Sequence, residues 1–364
     1  MISAPPLRCY INAIQEEARP SLLGRWLARA DILNLLEARL RVRELEKCSP
    51  EIFEREITEP IFITGAPRSG TSILHRLMGE DPDNRIPLMW EAIYPCPPPE
   101  PATYRTDRRI RAADRLLGLW MSIVPGYRTI HDLYATVPSE CGMLMNGSGL
   151  SDQLAICYSA PSYDALVFGP QADLRKSYEW HKKILQVLQW SKPGRWVLKA
   201  PGHMSHIRTL FAVYPDARVI QTHRDPLRVI PSTCSLLNTQ LSMRSDSVDF
   251  DSIRKGFTSE GLLWLLDSMA AFRDGGSVPA SRFYDVLYDD LMLDPVATIA
   301  KAYAHFGREL SAGAAAAVRA CLEKHPKDAQ GRHDYSFGAW GATLSAERAK
   351  FLPYQRRYGV RSET

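Results

Sequence analysis

The run Ile61-Phe62-Ile63-Thr64-Gly65-Ala66-Pro67-Arg68-Ser69-Gly70-Thr71-Ser72 constrains the fold of this chain more than any other stretch. An apolar, β-branched strand pattern ends at Gly65. A short loop carries Pro67, Arg68 and Gly70, and a helical pattern opens near Thr71. Strand, glycine loop and helix in that order build an anion cradle, because loop N–H groups turn inward and the helix N-terminus adds partial positive charge at the same point. The spacing Gly65-x4-Gly70 is that of a phosphate-binding loop, but Thr71 and Ser72 follow where such loops place a lysine. A kinase or ATPase sets that lysine on the β/γ-phosphates. Here the cation is Arg68, inside the loop, so the cradle suits an anion other than a nucleoside triphosphate.

The remaining chain reads as an α/β protein: a phosphate-loop-like parallel sheet flanked by helices, with an N-terminal helical extension and helical insertions. After the loop and its helix, strand patterns recur at Asn84–Leu88, Arg195–Lys199, Ala217–Thr222 and Arg282–Leu287, separated by helical patterns such as Gln171–Ser191. Strands alternating with helices of this length predict a parallel sheet covered on both faces. Residues 1–57 are expected to be a helical extension packed on the core. Residues 58–340 are expected to form the α/β domain, with an insertion at about 95–170, and 341–364 a C-terminal tail. The tract Pro95-Cys96-Pro97-Pro98-Pro99-Glu100-Pro101 excludes helix and central strand.

A net charge of +4 without a dense basic tract gives no case for nucleic acid. Seven scattered cysteines with no C-x-x-C pattern make neither a disulfide framework nor a zinc site, so the expected compartment is a reducing cytoplasm. No apolar run reaches bilayer-spanning length, and no secretory leader pattern opens the chain.

In parallel sheets, ligands bind beyond the carboxyl ends of the strands. Gly65, Lys199, Arg224 and Tyr288 each follow a strand in that way and are expected to converge. Ser232 lies eight residues after Arg224, about two turns along the helix that Pro226 opens. A phosphate beside that helix can touch the guanidinium at one end and the hydroxyl at the other. Two anion sites result, one at the glycine loop and one at Arg224 and Ser232, as a nucleotide phosphorylated at both ends of its ribose requires.

The loop Gly65-Ala66-Pro67-Arg68-Ser69-Gly70-Thr71-Ser72, the strand end Leu198-Lys199-Ala200-Pro201, and Arg224-Asp225-Pro226 with Ser232 together resemble the sulfotransferase family. The loop is closer to the bacterial and tyrosylprotein type, with P-R-S-G-T, than to the cytosolic aryl type. Tyr288-Asp289-Asp290-Leu291 and the segment Gly331-Arg332-His333-Asp334-Tyr335-Ser336-Phe337-Gly338 also resemble family segments, though the latter lacks the Arg-Lys-Gly of the cytosolic type. The similarity runs from about Pro60 to Gly338.

The resemblance implies transfer of a sulfuryl group from 3′-phosphoadenosine 5′-phosphosulfate (PAPS) to an acceptor hydroxyl or amine, here expected to be a hydroxyl, leaving adenosine 3′,5′-bisphosphate (PAP), with no metal required. By position, Arg68, Ser69, Gly70, Thr71 and Ser72 hold the 5′ phosphosulfate. Arg224 and Ser232 hold the 3′-phosphate, Tyr288 lies against the adenine, and Arg332 closes over the 3′-phosphate. Arg68 and Lys199 stabilise the departing nucleotide. Glu91 occupies the place of the glutamate base, with a structural ion pair to an arginine as the alternative, and His203 is the rival base. Trp90, Tyr94, Trp120, Met143, Met145, Tyr158 and Phe168 suggest an apolar pocket for a lipid or aromatic acceptor, or else fill a core. The competing functions are a nucleotide kinase and a non-catalytic nucleotide-binding homologue. Oligomeric state is not legible.

Overall fold

The computed structural model describes residues 5–126, 133–325 and 344–363. Five parallel strands form one sheet: β1 (Ile61–Gly65), β2 (Asn84–Arg85), β3 (Arg195–Lys199), β4 (Arg218–His223) and β5 (Phe283–Leu287), in the order β2-β3-β1-β4-β5. Alternation along the strands divides the core into two layers. Phe62, Leu198 and Val219 pack on one face with Tyr178, Ile184 and Leu185 of the helix Arg175–Gln189. Ile61, Ile63, Val197, Ile220 and Val286 pack on the other, against Leu74 and Leu77 of the helix Thr71–Met78 and Ile299 of the helix Pro295–His305. Every residue of β1 is buried, as expected of a central strand covered on both faces.

The strand register positions the site. Ile63 lies opposite Lys199, and Gly65 lies opposite Thr222. The carboxyl ends of β1, β3 and β4 therefore emerge side by side. β2 stops at Arg85 rather than running to Leu88, since Pro87 has no N–H for a ladder and the Leu88 N–H is taken by the Glu91 carboxylate at 2.9 Å.

The N-terminal region divides into helices Pro5–Glu16 and Leu22–Cys48 rather than one continuous pattern. Arg19 (φ 44°) and Pro20 break the chain there, and Ser21 caps the second helix by accepting from the Gly24 N–H at 3.0 Å. The helix Met89–Ile93 precedes the insertion, which contains helices Arg108–Ile123, Cys141–Met145, Asp152–Ala155 and Pro161–Phe168. Past residue 343 the chain forms the helix Leu344–Tyr358, whose Phe351 and Tyr354 are buried in the main core. No helix among the described residues is long and apolar enough to cross a membrane.

Candidate active site

The glycine loop leaves β1 at Gly65, where a side chain would collide with Thr222, a Cβ lying 2.3 Å from Oγ1 and 2.6 Å from the carbonyl oxygen. Its turn needs left-handed backbone at Arg68 (φ 65°) and Gly70 (φ 95°), and Gly70 is also the N-cap of the helix Thr71–Met78. Ser69 is fully buried. Its hydroxyl donates to the Ala66 carbonyl at 2.5 Å and lies 2.6 Å from Thr222 Oγ1, so this side chain braces the loop on β4.

Two groups of side chains meet around the loop. On one side Arg68 Nε donates to Ser232 Oγ at 3.0 Å, and Arg224 Nη1 donates to the Arg68 carbonyl at 3.0 Å. The Arg224 guanidinium also lies 4.0 Å from the ring centroid of Tyr288, the residue that follows β5. The arginine is presented this way because Asp225 caps the helix Pro226–Leu241, accepting from the Leu227 N–H at 3.1 Å. Ser232 sits further along the same helix, with Arg68 between the two.

On the other side of the loop, Lys199 at the end of β3 donates to Ser72 Oγ at 3.0 Å and forms an ion pair with Glu140. Lys199 is almost wholly buried, whereas the Glu140 side chain is about one-third exposed. Glu140 immediately precedes the helix Cys141–Met145 and opens onto a cavity of about 1360 Å³. The cavity begins at Pro67 of the glycine loop and at Pro201 and Gly202 beyond β3, and extends past Met143 and Leu237 to Trp264. Its wall is mainly apolar, with the carboxylates of Glu140 and Asp152 near the Lys199 end.

The sequence-predicted residues separate into those gathered here and those placed elsewhere. Arg68, Ser69, Gly70, Thr71, Ser72, Lys199, Arg224, Ser232 and Tyr288 surround the loop. Glu91 does not reach Lys199. Its carboxylate is fully buried in an ion pair with Arg85 at 2.6 Å, and Arg85 is held in turn by the Tyr104 hydroxyl and the Leu188 carbonyl. His203 is buried in the core, with Nδ1 2.7 Å from the Tyr178 hydroxyl and its ring edge-on to Phe62. Burial holds its pKa well below the ordinary histidine value. On its segment, Pro201, Gly202 and Ser205 face the cavity instead. Arg332 and its segment lie outside the described residues. Of the acceptor candidates, Trp120, Met143, Tyr158 and Phe168 line the cavity. Trp90 and Met145 are core residues, and Tyr94 borders a separate small cleft.

Three acidic residues at the site were not anticipated from sequence: Glu140, Asp152 and Glu363. Glu140 had a signal, being the only charged residue between Asp132 and Asp152, a stretch otherwise apolar or neutral. Glu363 had none. Its carboxylate grips Arg224 with both oxygens, at 2.7 Å from Nε and 2.8 Å from Nη2, while its N–H donates to Asp225. That fork-to-fork pair is the geometry in which a guanidinium receives a phosphate. A carboxylate of the protein thus stands where an anionic ligand group fits.

A family model for the sulfotransferase family matches residues 60–312, which is more than half of the chain. The chain belongs to the sulfotransferase family. Among solved structures, it is similar to sulfotransferase STF1 from Mycobacterium tuberculosis, with 32% identity over 96% of this chain and 91% of that one, at a TM-score of 0.79. It is also similar to sulfotransferase STF9 from Mycobacterium avium, with 26% identity over 100% and 94% of the two chains, at a TM-score of 0.84. A curated relative, omega-hydroxy-beta-dihydromenaquinone-9 sulfotransferase Stf3 of Mycobacterium bovis, is 26% identical over 277 residues. That match spans 70% of this chain and 66% of the relative, just under two thirds of its length.

Proposed function

We propose that the protein is a sulfotransferase that moves a sulfuryl group from PAPS to the hydroxyl of an apolar acceptor of the lipid class. The observation that carries this reading is the Lys199–Glu140 ion pair. It lies where the glycine loop meets the apolar cavity, so an anion held by the loop and a hydroxyl held in the cavity would meet at these two side chains. The guanidinium groups of Arg68, which donates to Ser232, and of Arg224, which donates to the Arg68 carbonyl, suit a donor with phosphates at both ends of its ribose. Glu363 on Arg224 supports the fit, since a forked anion is already accommodated there.

In this reading Glu140, not Glu91, is the base. The acceptor oxygen bonds to sulfur as the bond from sulfur to the bridging oxygen of the nucleotide breaks. The acceptor proton passes to Glu140, and the electron pair leaves on the nucleotide phosphate. Lys199 and Arg68 stabilise that growing negative charge, and fixed cations in a dry site are effective because they need no reorganisation. Tyr288, against Arg224, offers a flat face for a base. No step in this scheme calls for a metal ion. The lipid class of the acceptor rests on the size and apolar wall of the cavity, which exceeds the volume of typical drug-sized pockets. It agrees with the relative named for a hydroxylated menaquinone. Seven cysteines without a disulfide suit the cytoplasm.

Calorimetric titration with PAP and, separately, with ATP·Mg²⁺ tests the donor. Binding of PAP is expected, and binding of ATP·Mg²⁺ alone would favour a kinase. Labelled PAPS with a panel of hydroxylated lipids then tests transfer. Tight PAP binding with no transfer to any of them would favour a non-catalytic homologue.

A further inference from the structure

The carboxylate of Asp152 lies in a place made for it. A Cβ on Gly142 would fall 2.3 Å from its Oδ1, and a Cβ on Gly202 would fall 2.2 Å from its Oδ2. The two glycines belong to the segments that carry Glu140 and Lys199, two residues after the first and three after the second. An alanine at either position would displace the carboxylate. Oδ1 accepts from the Gln153 N–H at 2.8 Å and from the Ser151 hydroxyl at 3.4 Å, and among the described residues Oδ2 accepts no hydrogen bond. Asp152 and Glu140 line the same end of the cavity.

Asp152 is half-buried at the cavity wall, and a carboxylate partly withdrawn from water is costly unless paired, so structural ones are normally closed by a cation. The cation nearest in the site, Lys199, is already engaged by Glu140. Asp152 therefore adds a second negative charge where one would satisfy the lysine. Burial, then the charge of Glu140, push the Asp152 carboxyl up to about 6, with Lys199 pulling the other way. The other titratable groups facing it are Cys141, Tyr163 on the helix Pro161–Phe168 and Tyr178 on the helix Arg175–Gln189. All three are held neutral by burial, which raises each of them. Among the described residues, the charges that act on Asp152 are Glu140, which raises it, and Lys199, which lowers it.

An opposite charge in contact weakens a base, whereas a like charge nearby strengthens it. Lys199 alone would leave Glu140 a poor acceptor of the proton from a hydroxyl. We propose that Asp152 is a positioning carboxylate that offsets Lys199 and keeps Glu140 basic, the two carboxylates titrating as a coupled pair. This rests on the reading of Glu140 as the base. It accounts for glycine at both 142 and 202, where each leaves room for the Asp152 carboxylate against the segments that carry Glu140 and Lys199.

The test is the pH dependence of kcat/KM for sulfuryl transfer from labelled PAPS, in the wild type, Asp152→Asn and Glu140→Gln. Asparagine keeps the shape between the two glycines. The acid limb of Asp152→Asn is expected to move down by about one pH unit and to lose the steepness of a two-proton limb. Its plateau should fall about tenfold because the base is weaker, while PAP affinity is unchanged. An acid limb superimposable on that of the wild type, with Glu140→Gln inactive, overturns the proposal alone. Full turnover in Glu140→Gln overturns the reading of the base instead. Carbon-13 titration of the aspartate and glutamate carboxyls in the wild type and Glu140→Gln needs neither turnover nor a folded Asp152 variant. An aspartyl midpoint near 6 should drop when Glu140 is neutralised, and a midpoint that stays in place refutes the coupling.

Discussion

Lys199 and Glu140 close an ion pair at the boundary between the glycine loop and the apolar cavity, and Ser72 shares the same ammonium at 3.0 Å. One partner comes from the end of a central strand and the other from the start of a short helix in the insertion. This division of labour predicts different defects. Glu140→Gln should lower kcat by about 10²–10⁴, the span typical of a lost general base, and leave PAP affinity within twofold of wild type. Lys199→Met should lower kcat by about 10²–10³ through lost charge stabilisation. Steady-state kinetics combined with calorimetry check both, and a Glu140→Gln enzyme that turns over normally would rule out its role as base.

Glu91 and Arg85 make a second ion pair, with both side chains essentially inaccessible to water. Removing one member of such a pair strands the other charge, at a cost of about 3–5 kcal/mol. Glu91→Gln is therefore expected to lower stability by about 3 kcal/mol while kcat per folded molecule stays near wild type. Denaturant unfolding beside turnover corrected for active-site concentration decides the matter. A large fall in corrected kcat with stability preserved would return Glu91 to the chemistry.

What the sequence made legible follows from how local each signal is. The strand, glycine loop and helix at Ile61–Ser72 are one continuous stretch, so that unit was readable at once. Lys199 and Arg224 were readable because strand ends in a parallel sheet converge. Ser232 followed from helical spacing within its own helix. The partner of Lys199 was not readable, because nothing in spacing says whether Glu91 or Glu140 turns toward the sheet end that carries the lysine. Glu91 and Glu140 both precede or occupy short helices flanked by apolar residues. Only the tertiary partner distinguishes them: Arg85 for one and Lys199 for the other. The placement of His203 was hidden for a related reason. A short 3-10 turn, Pro201–Met204, rotates it into the core and leaves Pro201 and Gly202 at the cavity. Glu363 contacts a residue 139 positions away, a pairing that no local pattern encodes.

The Arg224–Glu363 pair predicts competition between the C-terminus and the donor. Glu363→Gln removes one arm of the forked pair and should raise PAP affinity by about tenfold, the value of a charge-assisted hydrogen bond. Arg224→Ala should lower that affinity by at least as much. Calorimetry at fixed ionic strength measures both. Unchanged affinity in Glu363→Gln would mean that the nucleotide and the carboxylate use different faces of the guanidinium.

Acid stability should depend on Asp285. Burial alone would raise its carboxyl, but hydrogen bonds from Arg273 and His223 outweigh burial and hold it well below the usual carboxylate range. A depressed carboxylate stabilises the fold at every pH above its unfolded value of about 3.9, and that contribution is lost as pH falls toward the folded value. Asp285→Asn should therefore unfold at lower temperature than the wild type at pH 7, with the gap narrowing as pH drops below about 4. Calorimetric scans across that range test this, and a gap that widens on acidification would contradict it.

The apolar wall of the cavity makes the acceptor's chain length the variable to change. Burying one methylene contributes about 0.8 kcal/mol, or about fourfold in binding. If Met143, Leu237 and Trp264 line the path of an apolar chain, kcat/KM across a homologous series of alcohols should rise by up to about fourfold per added methylene until the cavity is filled. The gain should appear in KM rather than kcat, because contacts remote from the sulfur are made equally in the ground and transition states. Leu237→Asp places a charge in that path without touching Lys199 or Glu140. It should flatten the slope of the series and leave PAP binding intact. A series that is flat in the wild type would place the acceptor outside the cavity, at the exposed edge of the glycine loop.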